Sequence, residues 1–567
     1  MTDLGYQPRY LSGGTKSALD RAHKRLGLIV FALLIAFLIM IVRAIDLGMA
    51  RTEFSRAKMP VITVPDTLPQ RADLVDRNGR VMATSLNSQS LYADPSKIKN
   101  PDQVALDLSR VLPGLSYGAL REKLSGKGRF VWIKRHITPT QMWDVNAIGE
   151  PALQFRRETE RVYPQGALAS HVLGLVDMDG NGIGGVERYF DDQLNDPGRD
   201  GEPLQLSIDV RVQHVMRAAL MEAMRAHEAI GATGLVMDVR TGELLALVSL
   251  PDFDPNHLSE ALGPAQINRA TLGVYELGST FKSFTFAAAF DHNLIKFEDE
   301  FDATKPLKAG RFLIRDDHPE NRFLTVPEVF IHSSNIGTSR IVQLLGIDRQ
   351  KDFLGRAGLL QPTTLELAEI GRPMLPPRWG EIASMTISYG HGIAVTPVHL
   401  ARGISALVNG GVLNEATLVK SKHRLGQQSQ LIKATTSRKM RQLLRLAVTH
   451  GTGSKADAKG YMVGGKTGTA EKVKADGSGY NRRATISSFI GVYPIDDPAY
   501  AVFALLDEPK GNDATWGYRG GGWTAAPVVR TVIERTAPLL GVEPRLEDKS
   551  LYQQAASLIT PEEEKSR

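Results

Sequence analysis

Cysteine is absent from all 567 residues. That removes disulfides, thiolate nucleophiles and cysteine-ligated metals together, and it suits an oxidising, extracytoplasmic setting. Low-complexity segments and internal periods are also missing, which excludes solenoids and repeat arrays. Charge of one sign is scarce, because 68 Lys and Arg stand against 62 Asp and Glu. So small a surplus leaves no nucleic-acid footprint and fits work near an acidic surface. What remains is an ordinary globular composition in a chain too long for one core, so several domains are expected.

Long apolar runs are rare, with one exception. Leu26 to Val42 is a stretch of 17 residues without a polar side chain, flanked by Arg25 and Arg43. As a helix it would be roughly 25 Å long, slightly short of a ~30 Å hydrocarbon core. Arg43 can snorkel, and Leu47 and Met49 can lengthen the span. The run exceeds a usual signal-peptide core, so it reads as a retained signal-anchor. A cleaved signal peptide ending at Gly48-Met49-Ala50 and a buried core helix are the alternatives. Arg21, Lys24 and Arg25 crowd its amino side, which predicts a cytoplasmic N-terminus and an extracytoplasmic remainder.

The expected organisation is a cytoplasmic tail at 1–25, a membrane anchor at 26–45, a non-catalytic domain at 46–200, a catalytic domain at 201–545 and a tail at 546–567. Pro60, Pro65 and Pro69 make 52–75 read as an extended stalk. Residues 76–200 alternate short apolar strands with turns, and no cluster of catalytic residue types appears among them. From Leu204 the pattern becomes that of an α/β domain. A helix is predicted over Val212 to Ala226, a hairpin around the turn Arg240-Thr241-Gly242, and a buried helix over Phe281 to Phe290. Strands are predicted over Ile486 to Tyr493 and Ala501 to Leu506. The segment from Glu547 onward is charged and reads as solvated.

Three motifs carry chemistry. In Ser279-Thr280-Phe281-Lys282, positions i and i+3 share a helix face, so an amine can approach a hydroxyl. A serine at a helix start also has N–H groups nearby for developing negative charge. Alone the motif is weak, since Ser-x-x-Lys should occur about twice by chance in such a chain. Ser333-Ser334-Asn335 puts a hydroxyl and an amide close together, yet reads equally as a capping loop. Lys466-Thr467-Gly468-Thr469 offers a cation, two hydroxyls and a glycine that lets a ligand backbone come close, though it could be a turn-rich strand. Two decoys fail. Gly460 to Thr467 fits the P-loop letters, but the sequence beyond Gly468 cannot propagate the required helix. Gly114-Leu-Ser116-Tyr-Gly118 mimics a nucleophile elbow, but Pro113 opposes the strand it needs, and Ser116 reads as a helix cap.

In this order the three motifs form the signature set of penicillin-binding proteins and serine β-lactamases, and the chain resembles the class B penicillin-binding proteins. Asn268-Arg269-Ala270, Tyr275-Glu276, Ser388-Tyr389-Gly390-His391-Gly392 and Ala525-Ala526-Pro527 resemble that family's catalytic domain. Asp76-Arg77-Asn78-Gly79, Arg161-Val-Tyr163-Pro164 and His171 resemble its pedestal domain. Two departures stand out: Arg71-Ala72 where the family usually has Arg-Gly, and Leu277 where many relatives have proline.

The resemblance implies a multidomain α+β and α/β fold: a transmembrane helix, an elongated mixed α/β pedestal of the dimerisation type, and a penicillin-binding/β-lactamase-like transpeptidase domain with an antiparallel sheet flanked by helices. It implies a periplasmic, inner-membrane, penicillin-sensitive enzyme that crosslinks peptidoglycan stem peptides without cofactor or metal. Ser279 is then the nucleophile, and Lys282 the base, with its pKa lowered by burial and by the Lys466 cation. Ser333 and Asn335 relay the proton and align the donor. Lys466, Thr467, Gly468 and Thr469 hold the terminal carboxylate, and the N–H groups of Ser279 and Thr469 form the oxyanion hole. Asn335 in place of Asp, the lack of cysteine and Arg315-Asp316-Asp317-His318 favour the septal over the elongation branch. Expected partners are a polytopic septal glycosyltransferase and division-complex membrane proteins, with no nucleic acid. A β-lactamase or lactam sensor shares the triplet, but no convincing Glu-x-x-x-Asn lies between Asn335 and Lys466 to activate a deacylating water. A non-catalytic assembly scaffold is the remaining alternative.

Overall fold

The computed structural model describes residues 13–54, 71–199, 201–310, 312–420, 429–474 and 479–560. The predicted stalk falls mostly on 55–70, outside the described residues, as do the first twelve residues of the predicted cytoplasmic tail and the last seven residues of the chain. Two compact units result, Met1–Leu68 and Pro69–Arg567.

The first unit holds one helix, α1 (Gly13–Phe54). No proline interrupts it, and apolar helix formers fill its centre. Its Lys24–Ile45 stretch is 22 residues long and, among the described residues, is the one helical segment apolar and long enough to cross a membrane. At 1.5 Å per residue it spans about 33 Å, longer than the bare apolar run because the flanking residues stay helical.

In the second unit a pedestal sheet comes first. Its strands are β1 (Leu74–Val75), β2 (Val81–Ala93), β3 (Val131–Ile137), β4 (Leu153–Val162) and β5 (Leu204–Gln205). β2 pairs antiparallel with β1, β3 and β4, and β1 takes β5 in parallel. Residues 71–75, read as stalk, are therefore part of the fold, and the sheet draws a strand from beyond residue 200. The Asp76-Arg77-Asn78-Gly79 turn joins β1 to β2. Asp76 Oδ1 accepts from the N–H groups of Asn78 at 2.8 Å and Arg80 at 2.9 Å, while Gly79 supplies the positive φ of +83°. Ser116 accepts from the Ala119 N–H at 3.3 Å and caps Tyr117–Leu124, a helical and not a catalytic role. The Ala72 departure is accommodated: its methyl is buried and its N–H donates to the Leu194 carbonyl at 2.8 Å.

The catalytic sheet comprises β6 (Gly231–Asp238), β7 (Leu244–Leu250), β8 (Gly464–Val473), β9 (Tyr480–Tyr493) and β10 (Tyr500–Asp507). All neighbours are antiparallel, in the order β8-β9-β10-β6-β7. Period-two alternation assigns its two faces. Ala501, Phe503 and Leu505 of β10 join a large helical core, while Val502, Ala504 and Leu506 join the core under α2 (Val210–Ala226) and the C-terminal helix Ala525–Thr536. Asp76 Oδ2 accepts from the N–H of Val210, the first residue of α2, at 3.2 Å, and Asn78 donates to its cap Asp209 at 3.0 Å. The pedestal turn thus plugs the start of the first catalytic helix, where a carboxylate is favoured.

The solvated tail predicted from Glu547 is corrected. Tyr552 and Ala555 are buried, with Leu551, Ala556, Leu558 and Ile559 packed against the same helical core. The acidic Glu547 that made the segment look solvated is paired to Arg445 at 2.6 Å.

Candidate active site

Ser279 lies in a single 3-10 turn, Gly278–Phe281, that runs straight into α3 (Lys282–Asp291). Phe284, Phe286 and the alanines that follow bury α3 on every side and carry Lys282 inward with them, to 0% exposure. Helical spacing then does what it must: Lys282 Nζ donates to Ser279 Oγ at 3.0 Å.

The second motif follows α4 (Val326–Ile331). Ser333 adopts φ +58°, a left-handed conformation costing about 1–3 kcal/mol for a residue with a side chain. That turn aims its hydroxyl between two amines, accepting from Lys282 Nζ at 3.0 Å and from Lys466 Nζ at 3.0 Å; Lys282 also reaches the Ser333 carbonyl. Asp316 holds the turn together. Its carboxylate accepts from the Ser334 hydroxyl at 2.7 Å and from the N–H groups of Asn335 at 2.6 Å and Ile336 at 2.9 Å, at the start of α5 (Asn335–Leu345). Sequence reading used Asp316 only to choose a branch. Its clamping role has no local signal, since its partners lie 18–20 residues away.

The third motif is the edge strand β8. Lys466, also 0% exposed, donates to Thr467 Oγ1 at 3.4 Å, and the Thr467 and Thr452 hydroxyls are hydrogen-bonded at 2.8 Å. Because the Lys-Thr pair lies in a strand, the P-loop reading is excluded. An unbroken hydrogen-bonded chain therefore links Ser279, Lys282, Ser333, Lys466, Thr467 and Thr452. Asn335 stands apart from it. Its side-chain amide donates to the Arg315 carbonyl at 3.0 Å, so the structure brings two amines and four hydroxyls together and leaves the amide outside that chain.

Two glycines make this approach possible. A Cβ on Gly278, which has φ +52°, would stand 2.3 Å from the Thr469 carbonyl oxygen. One on Gly468 would stand 2.4 Å from the Leu277 carbonyl oxygen and 2.4 Å from Ser488 Oγ. The nucleophile turn and β8 meet backbone to backbone, a contact only glycine permits. Leu277 replaces the relatives' proline without disturbing this turn, its carbonyl accepting from the Thr280 hydroxyl at 2.9 Å. An open groove of about 330 Å³ lies over the pair, walled by Ser279, Ser333, Thr467, Thr469, Gly521 and Trp523.

Burial pushes the Lys282 amine down to about 7, against the pull of the Asp316 and Asp317 carboxylates. Lys466 lies well below the usual lysine range, through burial first and then through the Lys282 charge. Burial is the leading cause for both amines, and the repulsion between Lys282 and Lys466 adds to it for the pair. Two amines bonded to one oxygen at 3.0 Å stand within about 6 Å of each other, too close for both to stay charged in a dry site. A free amine is therefore at hand beside two hydroxyls. That arrangement can deprotonate a serine and return the proton to a leaving group.

Residues 232–534 match the penicillin-binding protein transpeptidase domain, and residues 66–202 the penicillin-binding protein dimerisation domain. The chain is 38% identical over 486 residues to the probable peptidoglycan D,D-transpeptidase FtsI of Caulobacter vibrioides, covering 84% of this chain and 82% of that one. It is 31% identical over 558 residues to the probable peptidoglycan D,D-transpeptidase PenA of Neisseria meningitidis, covering 92% and 93%. The fold matches the crystal structure of a peptidoglycan synthetase from Bifidobacterium adolescentis, with a TM-score of 0.67, 22% identity, and coverage of 85% of this chain and 97% of that one. With both domain types on one polypeptide and relatives along most of its length, the chain belongs to the class B penicillin-binding proteins.

Proposed function

We propose that this chain is a peptidoglycan D,D-transpeptidase of the division septum, working through an acyl-ester on Ser279. The observation that carries the reading is the hydrogen-bonded chain from Ser279 through Lys282 and Ser333 to Lys466, its amines buried and its serine open to the groove.

Neutral Lys282 accepts the Ser279 proton as Oγ attacks the carbonyl of the penultimate D-alanine. The tetrahedral oxyanion is held by the N–H groups of Ser279 and Thr469. As the C–N bond breaks, the proton returns through Ser333 to the departing D-alanine amine, leaving an ester on Ser279. The amine of a second stem peptide then attacks this ester and gives up its proton to the same relay; the C–Oγ bond breaks, Ser279 Oγ takes the proton back, and the crosslink is complete. Lys466 acts on the terminal carboxylate by orienting Thr467, while Thr467 and Thr469 make the direct contacts. Gly468 keeps the strand close, and Asn335 aligns the donor backbone. A β-lactam enters as a donor mimic and stops at the ester. Ser279→Ala should abolish labelling by fluorescent penicillin, and a folded variant that still labels would end this assignment.

The septal role draws on Ser333-Ser334-Asn335, on the absent cysteine and on the relative named FtsI. In this reading the α1 span anchors the chain once in the inner membrane, with the basic residues before it in the cytoplasm and the domains beyond it in the periplasm. Residues 26–200 meet a polytopic glycosyltransferase and other division-complex proteins. A fluorescent fusion should concentrate at midcell; an even side-wall distribution would favour elongation instead.

A further inference from the structure

The catalytic contact between Ser333 and Lys466 joins two elements far apart in the chain, α4 with its following turn and strand β8. Their relative position is set at a place the acyl-transfer chemistry does not use. The segment Glu547–Thr560 bonds directly to α4 and its cap, and reaches the start of β8 through Arg445.

At one end, Glu547 Oε1 accepts from Arg445 Nε at 3.1 Å and Nη2 at 2.6 Å, with the Tyr552 hydroxyl also on it at 2.7 Å. Arg445 lies on α6 (Ala434–Thr449), and its Nη1 donates to the Val463 carbonyl at 2.7 Å. Val463 is the residue before β8 and three before Lys466. At the other end, the Thr560 N–H donates to Glu328 Oε1 at 2.9 Å, and the Leu558 carbonyl accepts from the Thr325 hydroxyl at 3.0 Å. Glu328 is 1% exposed. Its two oxygens also take Arg322 Nη1 at 3.0 Å and the Thr325 N–H at 2.9 Å, closing the capping box of α4. Burial alone would raise this carboxyl, but Arg322, Thr325 and Thr560 outweigh it and hold it down at about 2, so it stays charged. Ser333 follows five residues later, and Phe330 between them puts its ring 5.7 Å under the Lys466 amine. Between the two ends, Tyr552 and Ala555 are buried in the helical core.

We propose that Glu547–Thr560 is a strap that fixes the spacing between the Ser333 turn and Lys466, with Thr560 and Glu547 as positioning residues for acyl transfer. The proposal rests on the Ser279 acyl-enzyme reading. A strap of this kind acts on the rate of the chemical step, because an ångström of misplacement between reacting groups costs rate more than it costs binding.

The test resolves acylation of the full chain by fluorescent penicillin into a binding constant, a rate at saturation and a final amplitude. Thr560→Pro removes the N–H, whereas Thr560→Ala keeps it. Thr560→Pro and a chain ending at Leu546 should each acylate about tenfold more slowly at saturation, with the binding constant and final amplitude unchanged. Thr560→Ala should match the parent, and a synthetic peptide spanning 547–560 should restore the rate of the shortened chain. Equal saturated rates in Thr560→Pro and the parent would overturn the proposal. So would a loss confined to amplitude, since that reports fewer folded molecules and not a misplaced site. Should the shortened chain fail to fold, the two Thr560 variants decide alone. Failure of the parent chain itself to label would count against the Ser279 reading and not against the strap.

Discussion

The two sheets of the Pro69–Arg567 unit are built by opposite means. In the catalytic sheet, β9 from Ala484 onward and β10 beyond its first residue are buried on both faces, and β8 meets the nucleophile turn through glycine. In the pedestal sheet, β4 is exposed or half-exposed beyond its first residue or two, and charge does much of the holding. Arg71 and Arg161 both bond to Glu187, at 2.6 and 2.7 Å, with Glu187 fully buried, and Arg135 meets Glu158 at 2.9 Å. Close-packed apolar layers tolerate little displacement, which suits groups that must stay within hydrogen-bond reach. A polar sheet whose partners are fixed by ion pairs keeps a wet face, which suits contact with other proteins.

The sharpest way to break this contrast is to put a side chain where the catalytic sheet admits none. Gly468→Val would drive Cβ into the Leu277 carbonyl and Ser488, parting β8 from the nucleophile turn, and penicillin acylation should fall by about 100-fold or more. Titration comes next. As pH falls through about 7 the buried Lys282 amine gains its proton and can no longer accept one. Below that midpoint the saturated acylation rate should drop about tenfold per pH unit, and above it the rate should level off. A midpoint near 10 would show that the lysine is not desolvated. The smallest catalytic effect belongs to the pedestal. Glu187→Ala takes a carboxylate from two buried guanidinium groups, Arg71 keeping Asp191, and should cost about 3–5 kcal/mol of stability, read as a lowered denaturation midpoint. The acylation rate of the folded fraction should stay within about twofold, since distant sites add independently. A large loss of rate would show that the pedestal sets the active-site geometry.

The chemistry was legible because each motif is contiguous and its spacing already brings the side chains to one face. Ser279 and Lys282 are three residues apart on a helix, and Lys466 to Thr469 sit on one strand. Helix α2 and the β6–β7 hairpin followed from period and turn residues, with ends displaced by a few positions. What escaped notice depends on contacts across the chain. Asp316 clamps a turn 18–20 residues away, and the fate of the Asn335 amide is decided by the Arg315 carbonyl. The segment after Glu547 was misjudged on its charges, although Leu551, Tyr552, Ala555, Leu558 and Ile559 recur at three- and four-residue intervals and would have marked an apolar face. The complete burial of Lys466 is likewise invisible beforehand, because depth below a surface is not encoded in the letters of a strand.

Because β8 ends its sheet, one row of its main-chain donors and acceptors has no strand beside it among the described residues. An extended peptide laid along that border would be received as an additional strand, held by amide groups common to every residue. Discrimination would then rest on whether a guest can lie straight with the right stereochemistry at its tip, and far less on what its side chains are.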